Sequence, residues 1–200
     1  DRKIAEIELR LKGNFIEDLI SENYLDIDSI INRARALEFD ITIPNRVLVA
    51  KFDEAKQFLH QDKNEQNKFK NELVKKIQGM PSLAAKSMVV HRNSEIIILI
   101  QDDKSDDSFD TIKLQADEII REASPLLKAK LYIGIGSRCI ELEDYKKSYR
   151  TAKKALEIGE FMITEGQVRS FEQFKMHALF LSTLKPAELF SYAKKELAPL

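Results

Sequence analysis

Two apolar runs, Met88–Val90 and Ile96–Ile100, flank the short polar stretch His91-Arg92-Asn93-Ser94. Both runs are strand length and rich in β-branched residues. Asn93 and Ser94 bring the side chains that a tight turn needs. This is the firmest hairpin signal in the chain, and the other segments are placed around it.

Upstream, residues 46–54 hold Val47, Leu48, Val49 and Phe52 in a short, almost unbroken apolar run, the pattern of a strand buried on both faces. Residues 61–79 follow as a very polar helix with Phe69, Leu73, Val74 and Ile77 inward, stopped by Gly79 and Pro81. Downstream, residues 102–110 form an acidic loop. Its five aspartates lack the glycine and terminal glutamate of a calcium loop, so a solvated loop is expected. Asp110 is expected to cap a helix that Pro125 closes. Residues 130–136 supply a fourth strand. Residues 141–162 form a long helix with Leu142, Tyr145, Tyr149, Ala152, Leu156 and Gly159 on one face. Residues 167–171 read as a short strand, and two helices finish the chain, the last opened by Pro186.

Before the first strand, residues 1–22 carry Ile4, Ile7, Leu11, Phe15 and Leu19 at helical spacing, with Gly13 as a weak point where a bend is expected. A second helix, 26–39, has Asp26 or Asp28 as its cap and Ile30, Ile31, Ala34 and Leu37 inward. Pro44 ends that segment. The order βαββαβ predicts an α+β fold: a ferredoxin-like core with helices on one face of the sheet, and further helices at both ends. Residues 1–44 are expected to form a helical linker region, 45–171 the sheet domain and 172–200 the closing helices. There is no internal repeat.

Charge narrows the partners. The chain has 32 basic and 33 acidic residues, a net charge of -1, which provides no field to attract nucleic acid or an anionic membrane. Cys139 is the only cysteine. It makes no internal disulfide, builds no zinc site, and has no motif linking it to His60, His91 or His177, so a packed, structural thiol is expected. No apolar run approaches the roughly 20 residues that span a bilayer. A cytoplasmic protein with no membrane partner is the expectation. Because the chain starts at Asp1 within a helical pattern, it reads as a fragment of something longer.

The stretch KLYIGIGSR, residues 130–138, raises the question of a phosphate-binding loop. A dinucleotide loop needs a third glycine, and Cys139 follows Gly134 and Gly136 instead. The Gly-Lys-Ser/Thr triplet of a P-loop is absent. The next helix opens with Glu141, Glu143 and Asp144, which repel phosphate. The glycines are therefore expected in a buried strand that a neighbouring helix approaches closely.

Four blocks carry a family resemblance: ELRLKGNFIEDLIS followed by RARALEFDITIPNRVLVAKFD, then YIGIGSRCIELEDYKKSYRTAKKALEIG, and finally PAELFSYAKKELAPL. In this order they resemble the region of CdaR/PucR-type bacterial transcriptional regulators that lies between a sensory region and a helix-turn-helix domain. In that family the region is a GGDEF-like domain, a relative of the diguanylate cyclase fold. Active cyclases carry a D-[FIL]-D-x-F-K pattern at the end of the first strand and G-G-[DE]-E-F in the hairpin turn. Here the first motif reads KFDEAK, with Lys51 in place of the first acid and Asp53 retained. The second reads RNSEI, with Arg92 and Asn93 for the glycines, Ser94 for the metal-binding acid, then Glu95 and Ile96. Two magnesium ions need converging carboxylates. The resemblance therefore implies a non-catalytic regulatory domain with no catalytic residue, metal or cofactor. It further implies a homodimer, contact with DNA only through a downstream domain, and control of genes for small-metabolite breakdown such as that of sugar diacids or purines. A small-molecule effector fits this class, and its identity stays open. The rival reading, a residual nucleotide-binding or cyclase-like enzyme, rests on Asp53 and Glu95. A third, a purely structural helical interaction domain, rests on the amphipathic ends.

Overall fold

The computed structural model describes residues 2–84, 86–102, 108–161 and 167–170. Two helices, α1 (Arg2–Ser21) and α2 (Ile27–Ala36), precede strand β1 (Asn45–Phe52). A one-turn helix α3 (Glu54–Gln57), helix α4 (Lys63–Gln78) and the hairpin β2 (Ser87–Arg92) and β3 (Glu95–Gln101) follow. Helix α5 (Ser108–Ala123), β4 (Leu131–Cys139), α6 (Asp144–Phe161) and β5 (Val168–Ser170) complete the described elements. The closing helices expected in 172–200, and most of the acidic loop, lie outside the described residues.

The strands form one sheet in the order β2-β3-β1-β4-β5, antiparallel except for β4 with β5. The first four strands have the ferredoxin-like arrangement, with β1 in the middle. The hairpin is tight: Arg92 pairs with Glu95, and Asn93 takes the left-handed backbone conformation, φ 51°. Asparagine tolerates that conformation better than most residues.

Alternation along the strands feeds two cores. Leu48, Ala50, Ile96, Ile98 and Ile100 pack beneath α4 and α5. Val47, Val49, Ile97 and Leu99 pack against α1, α2 and α6 on the other side. Helices therefore cover both faces, not one. This is what the unbroken apolar strands require, because every side chain of such a strand must leave water.

Several local expectations shift. Asp26, not Asp28, caps α2, accepting the Ser29 N–H at 2.7 Å. Helix α5 starts at Ser108, which places Asp110 in its first turn and not at its cap. The first strand stops at Phe52, because Asp53 caps the short α3. The fourth strand runs on to Cys139 and delays α6 to Asp144. Helix α1 runs unbroken through Gly13, and its apolar stripe divides. Phe15 and Leu19 are buried, while Ile4, Ile7 and Leu11 are exposed.

The outer edge of β2 is occupied by a side chain. The Gln78 amide at the end of α4 accepts the Val89 N–H at 3.0 Å and donates to the Ser87 carbonyl at 2.9 Å. It meets the strand as a neighbouring backbone would.

Candidate functional site

The end of β1, the hairpin turn and the middle of α6 meet around Glu95. Its carboxylate accepts a hydrogen bond from the Tyr149 hydroxyl at 2.6 Å. It pairs with Lys153 at 3.0 Å and with Lys51 at 3.2 Å. Burial pushes the Glu95 carboxyl up, but Tyr149, Lys153 and Lys51 together outweigh it and hold it below its ordinary value. Burial pulls Lys153 down, and the bonds to Glu95 outweigh that in turn and raise it. The carboxylate is thus ionised and neutralised by two ammonium groups from β1 and α6.

The neighbouring acids are also engaged. Asp53 accepts the Lys56 N–H at 3.1 Å as the cap of α3. Glu54 takes the Ser94 hydroxyl at 3.0 Å and the Lys70 ammonium at 2.5 Å. Lys70 also donates to the Asn93 carbonyl at 2.8 Å, so α4 holds the turn. Among the described residues, no three His, Cys, Asp or Glu side chains gather as a metal's ligand set would.

Arg92, the first residue of the RNSEI stretch, turns toward α1. Its guanidinium is paired with Glu17 and lies 3.4 Å from the Tyr149 hydroxyl. A continuous chain of polar contacts therefore runs from α1 through the hairpin to α6.

The glycine-rich strand answers differently from a phosphate loop. Between the pairs Arg46–Arg138 and Leu48–Ile135, two residues of β4 stand opposite one of β1, which makes a β-bulge. Side chains of α6 and β1 take up polar groups at the bulge. Ser148 Oγ accepts the Val47 N–H at 3.0 Å and donates to the Ser137 carbonyl at 2.6 Å. Thr151 Oγ1 accepts the Ser137 N–H at 2.9 Å. Arg46 donates to the Gly136 carbonyl at 3.0 Å and pairs with buried Asp102 at 2.9 Å. The two glycines clear space for the α6 backbone. A methyl group on Gly134 would overlap the Ala152 carbonyl, and one on Gly136 the Ser148 carbonyl.

Cys139 is buried at the end of that strand, and burial pushes its thiol up to about 12. The basic residues of α6 divide: Lys146, Lys147, Arg150 and Lys154 line one open depression beside Glu22, and Lys153 lies apart from them. Lys153 points at Glu95, while Lys146 pairs with Glu22 at 2.5 Å.

The motif comparison put Lys51 and Asp53 at the end of the first strand and Ser94 and Glu95 at the hairpin turn, and the fold brings both to the same end of the sheet. Sequence reasoning missed Lys153, and it read Tyr149 only as part of the apolar face of the long helix. The signal was their i, i+4 spacing, which puts both on the side of α6 nearest the turn. Glu17, Glu54 and Lys70 had no local signature.

A profile of the GGDEF-like domain matches residues 22–158. No curated protein matches the chain. The profile covers more than half of the sequence, and the chain belongs to the GGDEF-like domain family.

Proposed function

We propose that this GGDEF-like domain is a non-catalytic, signal-transmitting module of a CdaR/PucR-type transcriptional regulator. In this reading it acts in the cytoplasm as a homodimer, and DNA is read by a helix-turn-helix domain elsewhere in the regulator. The observation that carries it is Glu95 held between Lys51 and Lys153. Divalent-metal chemistry on GTP needs free carboxylates facing a cation. Here Lys51 takes the position of an acid, Ser94 stands where a second acid is expected, and Asp53, Glu54 and Glu95 all have partners within the chain. The residues present do not fit a magnesium pair.

The chain of contacts from Glu17 through Arg92, Tyr149 and Glu95 to Lys153 supports transmission. It joins the N-terminal helix to the helix that precedes the C-terminal part of the chain. Incubation with GTP and Mg²⁺ or Mn²⁺ is expected to give no cyclic dinucleotide, and titration calorimetry no GTP binding. Turnover abolished by Asp53→Ala would overturn the non-catalytic reading. The regulator assignment itself predicts that the coding sequence beyond Leu200 continues into a helix-turn-helix.

A further inference from the structure

Helix α1 is half docked. From Phe15 onward it packs into the core: Phe15, Ile16, Leu19 and Ile20 are buried, and α2 covers its flank. Arg33 of α2 bonds Asp18 at 2.7 Å and lies over the Phe15 ring. Toward the N-terminus, Leu9 is the one apolar side chain among the described residues that still packs against the domain. Ile4, Ile7 and Leu11 are 67%, 49% and 50% exposed. At 3.6 residues per turn these three lie on the side of the helix opposite Leu9, so they face directly away from the body. They continue the face that α2 covers further along, and among the described residues this part stays open.

Their spacing is that of a two-helix seam, with Ile4 and Leu11 at a positions and Ile7 at d. The next positions are polar. Asn14 is exposed, and Asp18 is already paired with Arg33, so the seam stops where α2 takes over. Lys3 and Glu8, both exposed, occupy the g and e positions beside it, and one oxygen of Glu8 also takes the Lys12 ammonium of its own helix at 2.6 Å.

We infer that this stripe is the dimer interface, pairing with the same stripe of a second copy as a parallel, in-register helix pair. The inference rests on the dimer reading above and deepens it. Charge selects both the occupant and its direction. In a parallel pair, Lys3 of one chain meets Glu8 of the other, twice by symmetry. An antiparallel pair sets g against g and e against e, bringing Lys3 against Arg10 and Glu8 against Glu8. Leu9 at the f position keeps each domain on the outer side of the pair, so the two bodies do not collide.

The test is sedimentation of the full 200-residue chain, alone and with substitutions. Wild type is expected at twice the 23.1 kDa of a single chain. Leu11→Glu is expected to weaken the dimer at least tenfold while leaving the far-ultraviolet circular dichroism unchanged. Lys3→Glu and Glu8→Lys each weaken it, and the two together restore it. Leu11→Cys forms an intermolecular disulfide on oxidation, with buried Cys139 silent, and this readout stands even if the charged variant folds poorly. A monomeric wild type, with the stripe covered by residues 171–200 or by another protein, overturns the dimer reading and this inference together. A dimer that survives Leu11→Glu and gives no Leu11→Cys cross-link overturns the inference alone. Neither result touches the non-catalytic reading.

Discussion

Gly134 of β4 lies against the carbonyl oxygen of Ala152 in α6, with no room for a methyl group between them. The same contact one helical turn earlier, Gly136 on Ser148, brings α6 onto the strand backbone to backbone. Gly134→Ala is expected to destabilise the fold by about 1–3 kcal/mol through overpacking. Gly13→Ala has open space around it in α1 and is expected to stabilise by about 0.4–1 kcal/mol. Urea unfolding of the two variants beside wild type checks both signs. A neutral Gly134→Ala would mean that α6 can lift without cost.

Acid should loosen the hairpin from α6. The Glu95 carboxyl titrates below its ordinary value of 4.5, so its contribution is complete above that value and is lost as pH falls through the lower folded one. Lys153 titrates above its ordinary 10.5, so its contribution is present below that value and is lost only as pH rises through the raised one. The pair is therefore fully formed across neutral pH. Glu95→Gln is expected to flatten the acid limb of a stability-versus-pH curve and to speed amide exchange in β2, β3 and the adjoining turn of α6. An unchanged acid limb would assign the loss to other carboxylates.

Gln78 closes the edge of the sheet. Gln78→Ala removes its two bonds and bares the Val89 N–H and the Ser87 carbonyl on an apolar strand, a template for pairing with another chain. The variant is expected to stay folded and to aggregate faster on mild heating, as followed by light scattering. Equal rates for the variant and wild type would show that the edge is protected by something other than this amide.

Cys139 is expected to be inert. The thiolate is the reactive form, and a buried thiol titrating near 12 offers almost none at neutral pH. A thiol-specific dye should label it only on unfolding, at the unfolding rate. Rapid labelling of the native protein would contradict its buried placement.

The chain is expected not to bind DNA by itself. Counterion release scales with the phosphates a protein neutralises. Here the net charge is -1, and Lys146 and Lys153 of α6 are already spent on Glu22 and Glu95. Fluorescence anisotropy with promoter DNA at physiological salt should show no sequence-specific, salt-sensitive binding. Such binding would place DNA reading in this chain and not in a further domain.

The parts legible in the sequence were those whose cause is local. The Asn93-Ser94 turn, the doubly buried β1 and the close approach at Gly134 and Gly136 follow from residue type and spacing. What stayed hidden depends on neighbours far along the chain. Ile4, Ile7 and Leu11 have the same period as Phe15 and Leu19, and only where the sheet, α6 and α2 lie along α1 separates exposed from buried. Tyr149 and Lys153 reach Glu95 only because the glycines let α6 settle low on the sheet. The short α3 is set by one cap, Asp53, inside a stretch whose apolar residues read as strand.

The central place of β1 also bears on how the chain folds. Arg46 bonds Asp102, 56 residues ahead, and the Gly136 carbonyl, 90 residues ahead. During synthesis β1 emerges well before either strand that will flank it, while β2 and β3 zip together as soon as their turn appears. Closure of long loops dominates the search for the native state, which favours folding in milliseconds or slower over microseconds. Until β4 arrives, one side of β1, a strand buried along almost its whole length, is unpaired. That interval is when the nascent protein is most exposed to misassociation and most in need of a chaperone.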